Sequence, residues 1–314
     1  HFIGKDIINF HALFWPAMLD SSGFRTPTKI FVHGFLTVNG KKMSKSRGTF
    51  ITAKSYLENL NPEYLRYYYA SKISSGIDDL DLNLDDFMQR VNSDLIGKIV
   101  NIASRCSNFI TKGNDGLLSA NLEDHTLWSK VVGESELIAS SFEKREYGKA
   151  VRLIMAQADI INEYIAKKEP WLLAKDPNNR QLVLDICSLA INVFRVLMVY
   201  LKPILPEMAK AAESFLNERI DWSSLSRPLL SHKINKFKPL MQRIEQSQIK
   251  SMIENNNQTI TTHNSKKKKV SKNMDSKNIE EVSTLEPIAD EIQFDDFMGI
   301  DLRVGLITKA EYVK

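Results

Sequence analysis

Cysteine is nearly absent from this chain. Cys106 and Cys187 stand far apart and neither belongs to a CxxC pair, so neither a disulfide framework nor a zinc ribbon is expected, and a reducing, cytoplasmic setting is. No uninterrupted apolar run approaches the roughly 20 residues that cross a bilayer, and the first residues lack the charged-then-apolar order of a signal peptide. No membrane role is therefore expected. Charge of one sign is not in excess either: 42 Lys+Arg face 38 Asp+Glu, a net charge of +4, so an anionic partner would have to be met by local basic sites. Glycine is sparse, and the one place that resembles a phosphate-binding Walker loop fails the pattern, because Gly34 and Gly40 enclose five residues and Lys41 is followed by Lys42. Aromatics are missing between Phe237 and Phe294, an interval holding the polar, aperiodic "ENNNQTITTHNSKKKKVSKNMDSKN". Such a stretch cannot bury enough apolar surface to order itself, and it reads as a disordered linker over 246–287. No internal repeat is present.

What remains is enough chain for roughly two domains. Residues 1–60 mix element types: "KDIINFHALFWPAMLD" places Ile7, Phe10, His11, Phe14 and Trp15 at helical spacing, Pro16 interrupts it, and "KIFVHGFLTV" reads as strand. Residues 61–245 turn helical. Phe87, Val91, Leu95, Ile99, Ile102, Cys106 and Phe109 recur at three- and four-residue steps, and further helices are expected at about 130–145, 147–168, 180–202 and 204–217. Short polar connections suggest an antiparallel bundle. Beyond the linker, alternation in "IDLRVGLIT" suggests the first strand of another domain over 288–314. The fold class expected is thus mainly α, with an α/β part first. His1 without an initiator Met, and the stop at "AEYVK", lead us to expect a chain open at both ends.

Three groups of residues invite a functional reading, and each has a plain alternative. Four cations fall within Lys41–Arg47, broken only by Met43, Ser44 and Ser46, after an Asn-Gly turn and before Gly48; this is either a phosphate-seeking loop or a solvated turn. The aromatics around His11 are either a pocket or ordinary core. On the helix beginning near Asp86, Lys98, Asn101, Arg105 and Asn108 form a polar stripe, either a solvated face or a binding face, while Trp171 after Pro170 could simply cap the bundle. The acids Asp78, Asp79, Asp81, Asp85 and Asp86 suit a turn and a helix start, where negative charge complements the dipole, better than a cation site.

The stretch "KMSKS" at Lys42–Ser46, with the flanks "HFIGKDIINFHALFWPAML", "FVHGFLTVNGKKMSKSRGTF", "LRYYYASKISSGIDDLDLNLDDFMQRVNSDL", "KEPWLLAK" and "FDDFMGIDLRV", resembles bacterial methionyl-tRNA synthetases in order and spacing. These are class I aminoacyl-tRNA synthetases, and the resemblance covers essentially the whole chain. It implies a ligase: ATP with Mg2+ activates L-methionine to methionyl-adenylate, and the methionine passes to tRNA(Met). It implies residues 1–60 as the C-terminal part of a Rossmann-like catalytic domain, 61–245 as the anticodon-binding bundle and 288–314 as the start of an OB-fold, truncated, through which a homodimer could form. The His-Ile-Gly-His signature, and any zinc, would lie upstream; no metal is assigned to this chain, which alone would be inactive. By the same resemblance Lys45 and Lys42 are catalytic, and His33, Gly34, Ser44, Lys45, Ser46, Gly4 and Asp6 contact ATP. Ile7, Phe10, His11 and Trp15 line the methionine pocket, and Lys98, Asn101, Arg105, Pro170 and Trp171 bind the anticodon. Lys5 is expected at the surface and Met43 as the loop's apolar anchor. The rival expectation is a non-catalytic tRNA-binding protein that keeps a degenerate loop.

Overall fold

The computed structural model describes residues 1–43 and 50–256. Its first region is built on two short sheets. Strand β1 (Phe2–Gly4) pairs in parallel with β2 (Phe31–His33), in the register Phe2 to Phe31, Ile3 to Val32 and Gly4 to His33. The crossover carries a wide helical turn at Phe10–Phe14 that runs into α1 (Trp15–Ser21). Pro16 was expected to interrupt this helix, and it does not. It sits in the first turn of α1, where its missing N–H has no partner to lose, and the wide turn closes just before it through Trp15 N–H donating to the Phe10 carbonyl.

The second sheet has β3 (Leu36–Val38) between β4 (Lys41–Lys42), antiparallel, and β5 (Leu80–Leu82), parallel. Asn39 and Gly40 join β3 to β4 with φ of 48° and 71°. Two positive values in succession give the turn whose twist matches paired strands, and Asn-Gly is the pair that tolerates them. Side chains then begin the helices that follow. Thr52 caps α2 (Ala53–Asn59), Asn61 caps α3 (Pro62–Lys72) and Asn83 caps α4 (Leu84–Arg90), each accepting from a first-turn N–H.

From α4 the helical path continues through a wide stretch, Val91–Val100, into α5 (Asn101–Gly113). Phe87, Val91, Leu95, Ile99, Ile102 and Cys106 are all buried, as their spacing predicts. The stripe ends differently from expectation: Ile110 takes the next core position and Phe109 is only partly buried. The bundle is completed by α6 (His125–Gly133), α7 (Ser135–Glu143), α8 (Tyr147–Lys168), the single turn α9 (Pro170–Leu173), α10 (Arg180–Leu201) and α11 (Pro206–Leu216). The expected helix at 130–145 is thus two helices.

Helix α10 is the axis of this bundle and packs on α5, α8, α11 and α6. It is long and apolar enough to cross a membrane, which the search for unbroken apolar runs missed because Asp185 and Arg195 interrupt it, yet 89% of its most apolar window is buried inside the bundle. Arg195, at 1% exposure, is fully engaged. It donates from Nε to Glu218 at 2.6 Å and from Nη2 to the same carboxylate at 3.1 Å, while Nη1 serves the Ser224 and Arg227 carbonyls. Cys106 and Cys187 are buried free thiols.

One expectation about organisation is corrected. Residues 246–256, assigned from composition to the linker, are helical, and Ile249, Met252 and Asn256 are buried. The segment 257–314, with the rest of the linker and the expected OB-fold start, lies outside the described residues.

Candidate functional site

Parallel pairing brings the first candidate group together. Gly4 and His33 are register partners at the carboxyl ends of β1 and β2, the end of a parallel pair where α/β proteins hold ligands. Of the two neighbouring glycines only Gly34 is sterically demanded, because the atom facing Gly4 is the end of the exposed Asp6 side chain, which can turn away. A Cβ on Gly4 would lie 2.6 Å from Asp6 Oδ1, and one on Gly34 would lie 2.1 Å from the Asp78 carbonyl oxygen. His33 Nδ1 stands 2.8 Å from the Gly34 carbonyl; a proton there leaves Nε2 as an acceptor.

Lys5 is more than a surface residue. Its ammonium lies 2.7 Å from Asp79 and 4.9 Å from the centre of the Phe35 ring, with Lys42 at 6.0 Å from the same ring. Asp79 also accepts from Phe35 N–H at 2.7 Å. The Lys5 hydrogen bond, then the Phe35 amide, hold its carboxyl below the usual aspartate range. Two more of these acids, Asp81 and Asp86, are structural too. Asp81 accepts from Thr37 and from Gly40 N–H within the β3–β4 hairpin, and Asp86 from Tyr68 and Lys72. Among the described residues no group of three metal-binding side chains exists.

The basic loop is seen at its two ends. Lys41 and Lys42 form β4, and Met43 packs against the core. Ser44, Lys45 and Ser46 lie outside the described residues. The far end is held by Asn256, at 2% exposure, which accepts from Thr52 N–H at 3.0 Å and donates to the Phe50 carbonyl. Ser55 adds a hydroxyl bond of 2.7 Å to the Met252 carbonyl. Composition gave no sign of this brace, because its residues come from the segment read as linker.

Of the four candidate methionine-site residues, three gather. His11 Nδ1 is 3.1 Å from the Ile7 carbonyl, and its ring meets Trp15 at 5.6 Å, 80° from parallel. Phe10 pairs with Phe14 at 5.9 Å and is 61% exposed. Among the described residues, neither the wide turn nor α1 has a buried residue.

The second candidate group sits in the bundle. The left-handed Glu169, φ 43°, ends α8 and turns the chain so that Pro170 starts α9 and is buried. That places Trp171 against α5, where the Arg105 guanidinium lies 4.3 Å from the indole centre. Asn101 is one turn before Arg105, partly exposed, and its side chain has no hydrogen-bond partner among the described residues. Lys98 is already committed to Asp159, at 2.7 and 2.9 Å from its two oxygens. Asp159 was not anticipated; nothing in the sequence marks it except its place on an exposed face of α8. A stacked indole and guanidinium beside a free amide is a surface of the type on which unstacked loop bases are held.

Residues 1–107 match the family model described as tRNA synthetases class I (M). That span includes both sheets and α1–α4. Among solved structures the chain is similar to methionyl-tRNA synthetase of Mycobacterium tuberculosis in complex with methionyl-adenylate, at 26% identity and TM-score 0.70. The match covers 76% of this chain and 49% of that one. A second structure of that protein bound by methionyl-adenylate gives 26% identity and TM-score 0.69, again over 76% and 49%. Its apo form shares the fold, with 24% identity, TM-score 0.67 and coverage of 78% and 49%. The resemblance seen in the sequence therefore holds at the level of family model and fold, and the chain spans about half the length of the synthetases it matches.

Proposed function

We propose that this chain is part of a cytoplasmic methionyl-tRNA synthetase, which activates methionine with ATP and Mg2+ and transfers it to tRNA(Met). Attack of the methionine carboxylate on the α-phosphorus of ATP expels pyrophosphate, so the demand on the protein is stabilisation of phosphate charge more than proton transfer. Lys42 and Lys45 supply that charge. Gly4 and Gly34 let the backbone approach the nucleotide, Asp6 accepts from its ribose hydroxyls, and His33, Ser44 and Ser46 complete the contacts. Methionine's flexible thioether is bounded by Ile7, His11 and Trp15, with Phe10 adjoining; aromatic faces suit a polarizable sulfur. Mg2+, when bound with ATP, offsets phosphate charge.

The bundle reads the anticodon. The observation that carries this is the meeting of Arg105 with Trp171 at 4.3 Å beside the unpaired amide of Asn101. Pro170 fixes the start of the turn that carries Trp171, and Lys98 meets the phosphate backbone only by exchanging Asp159 for it. The test is binding of an anticodon stem-loop bearing CAU, against one with a single base change, at one fixed salt concentration. Preference for CAU supports the assignment. Equal, salt-sensitive binding of both loops would reduce the bundle to a nonspecific polyanion site.

A further inference from the structure

Between Asp221 and Glu245 the chain carries no acid and five cations, Arg227, Lys233, Lys236, Lys238 and Arg243. The second half of this stretch is a strap laid along the bundle. Ile234 N–H donates to the Gly116 carbonyl just past the end of α5, and Ile244 N–H donates to Asn92 near the start of the same helical path, at 2.8 Å each. That path is about 30 Å long, and the strap between the two bonds reaches about 36 Å at most, so it is close to full extension. Ile234, Met241 and Ile244 are buried, and Phe237 meets Phe215 of α11 at 5.1 Å. Lys233, Lys236, Lys238 and Arg243 stay in solvent, and none of their charged groups has a partner among the described residues. In an extended chain Lys236 and Lys238 share one face about 7 Å apart. Their backbone N–H groups also lack a partner among the described residues. Asn92 follows the buried Val91 by one residue, whereas Lys98, Asn101 and Arg105 each precede a buried residue by one. One residue turns a helix by about 100°, so the strap and the polar stripe flank the buried stripe on opposite sides.

We propose that the strap is a second RNA-binding surface, which holds the phosphate backbone of a single strand without regard to its bases. Its free groups are all donors, and no carboxylate lies among them to repel a phosphate. Long flexible stems let each ammonium find its own phosphate on a backbone with one charge per nucleotide. Phe237 is turned into the bundle, which leaves no aromatic platform for a base. An acidic protein segment added as a strand fits less well, because Pro239 interrupts the row of N–H donors, and lysine and proline on an exposed edge oppose strand addition. The choice of RNA rests on the tRNA reading above; the basic track itself does not.

The test measures binding of a labelled uridine decamer to the 314-residue chain over a series of salt concentrations. Its partner is a variant with Lys233, Lys236, Lys238 and Arg243 all changed to Gln; the four are exposed, and thermal unfolding checks that the variant folds. The variant should bind the decamer about tenfold more weakly or worse, and its slope of log K against log salt should be shallower by about 3, four cations at about 0.7 each. A CAU stem-loop at saturation should leave the decamer bound, and the variant should keep any preference for CAU over a mismatched loop. An unchanged slope overturns the proposal, since cations elsewhere would then carry the binding. Displacement of the decamer by the CAU loop overturns it too, because the two surfaces would be one. A glutamate decamer that binds as tightly as the uridine decamer at equal salt would assign the strap to acidic protein and overturn it likewise. The anticodon reading is judged separately: it fails when wild type does not distinguish CAU from a mismatched loop, whatever the decamer does.

Discussion

Replacing Trp171 by alanine removes two things at once: the indole on which a loop base can stack and the surface that holds the Arg105 guanidinium 4.3 Å from its centre. Base–aromatic stacking contributes about 1–3 kcal/mol per base, which is roughly a 5- to 150-fold change in Kd. A cation–π pair at a partly exposed site adds about 0.5–1 kcal/mol. If Arg105 works in the position Trp171 gives it, the two losses overlap. The double variant Arg105→Ala/Trp171→Ala should therefore bind the CAU loop more tightly than the sum of the single losses predicts, by about that pair energy. Trp171→Phe should recover part of the affinity, since it keeps a ring of smaller face. The assay is equilibrium binding of the CAU stem-loop at one salt concentration, with thermal unfolding of each variant as control because Trp171 also packs on the core. A change below twofold for Trp171→Ala would refute the reasoning, and so would equal weakening of CAU and mismatched loops.

Three further outcomes follow from the packing and charge. Arg195→Met leaves the Glu218 carboxylate without its partner and the Ser224 and Arg227 carbonyls without their donor; urea denaturation should show a loss of about 3–5 kcal/mol, and a loss under 1 kcal/mol would contradict that burial argument. Burial pushes the Asp86 carboxyl up, but hydrogen bonds from Lys72 and Tyr68 with the Lys72 charge hold it below its ordinary value. A depressed folded pKa stabilises above the unfolded value, about 3.9, and is lost as pH falls through the folded one. The gap between wild type and Lys72→Met in urea midpoint should therefore persist at pH 7 and shrink below about pH 4; a pH-independent gap would assign it to packing. Gly34→Ala must displace the Asp78 backbone, 2.1 Å from the new Cβ, whereas Gly133→Ala meets nothing within 4 Å. The first should destabilise by about 1–3 kcal/mol and the second should not, so similar unfolding midpoints for both would show that the β5 approach yields freely.

Local chemistry made much of this fold legible. The Asn39-Gly40 turn and the apolar stripe from Phe87 to Cys106 are visible because each depends on residues close in sequence. The helix at 246–256 was missed because its buried apolar residues are only Ile249 and Met252 among Gln, Ser, Glu and Asn, and contacts with the Thr52–Ser55 region stabilise it. Long-range pairings were hidden for the same reason. Nothing near Lys5 announces Asp79, and nothing near Lys98 announces Asp159. Spacing alone left Trp171 and the polar stripe of α5 open to a plain structural reading; the left-handed turn at Glu169, which aims Trp171 at Arg105, is carried by a residue type that rarely adopts it.

The central claim is that α5 and Trp171 hold the first anticodon base. It is tested most directly by photo-crosslinking the 314-residue chain to a CAU stem-loop carrying 5-iodocytidine at that base, followed by mass mapping of the adduct. The account predicts the adduct on Trp171, with its yield lost when an unlabelled CAU loop competes and kept when a mismatched loop does. An adduct on Trp15, Trp128 or Trp222, or one that both competitors remove equally, would contradict it.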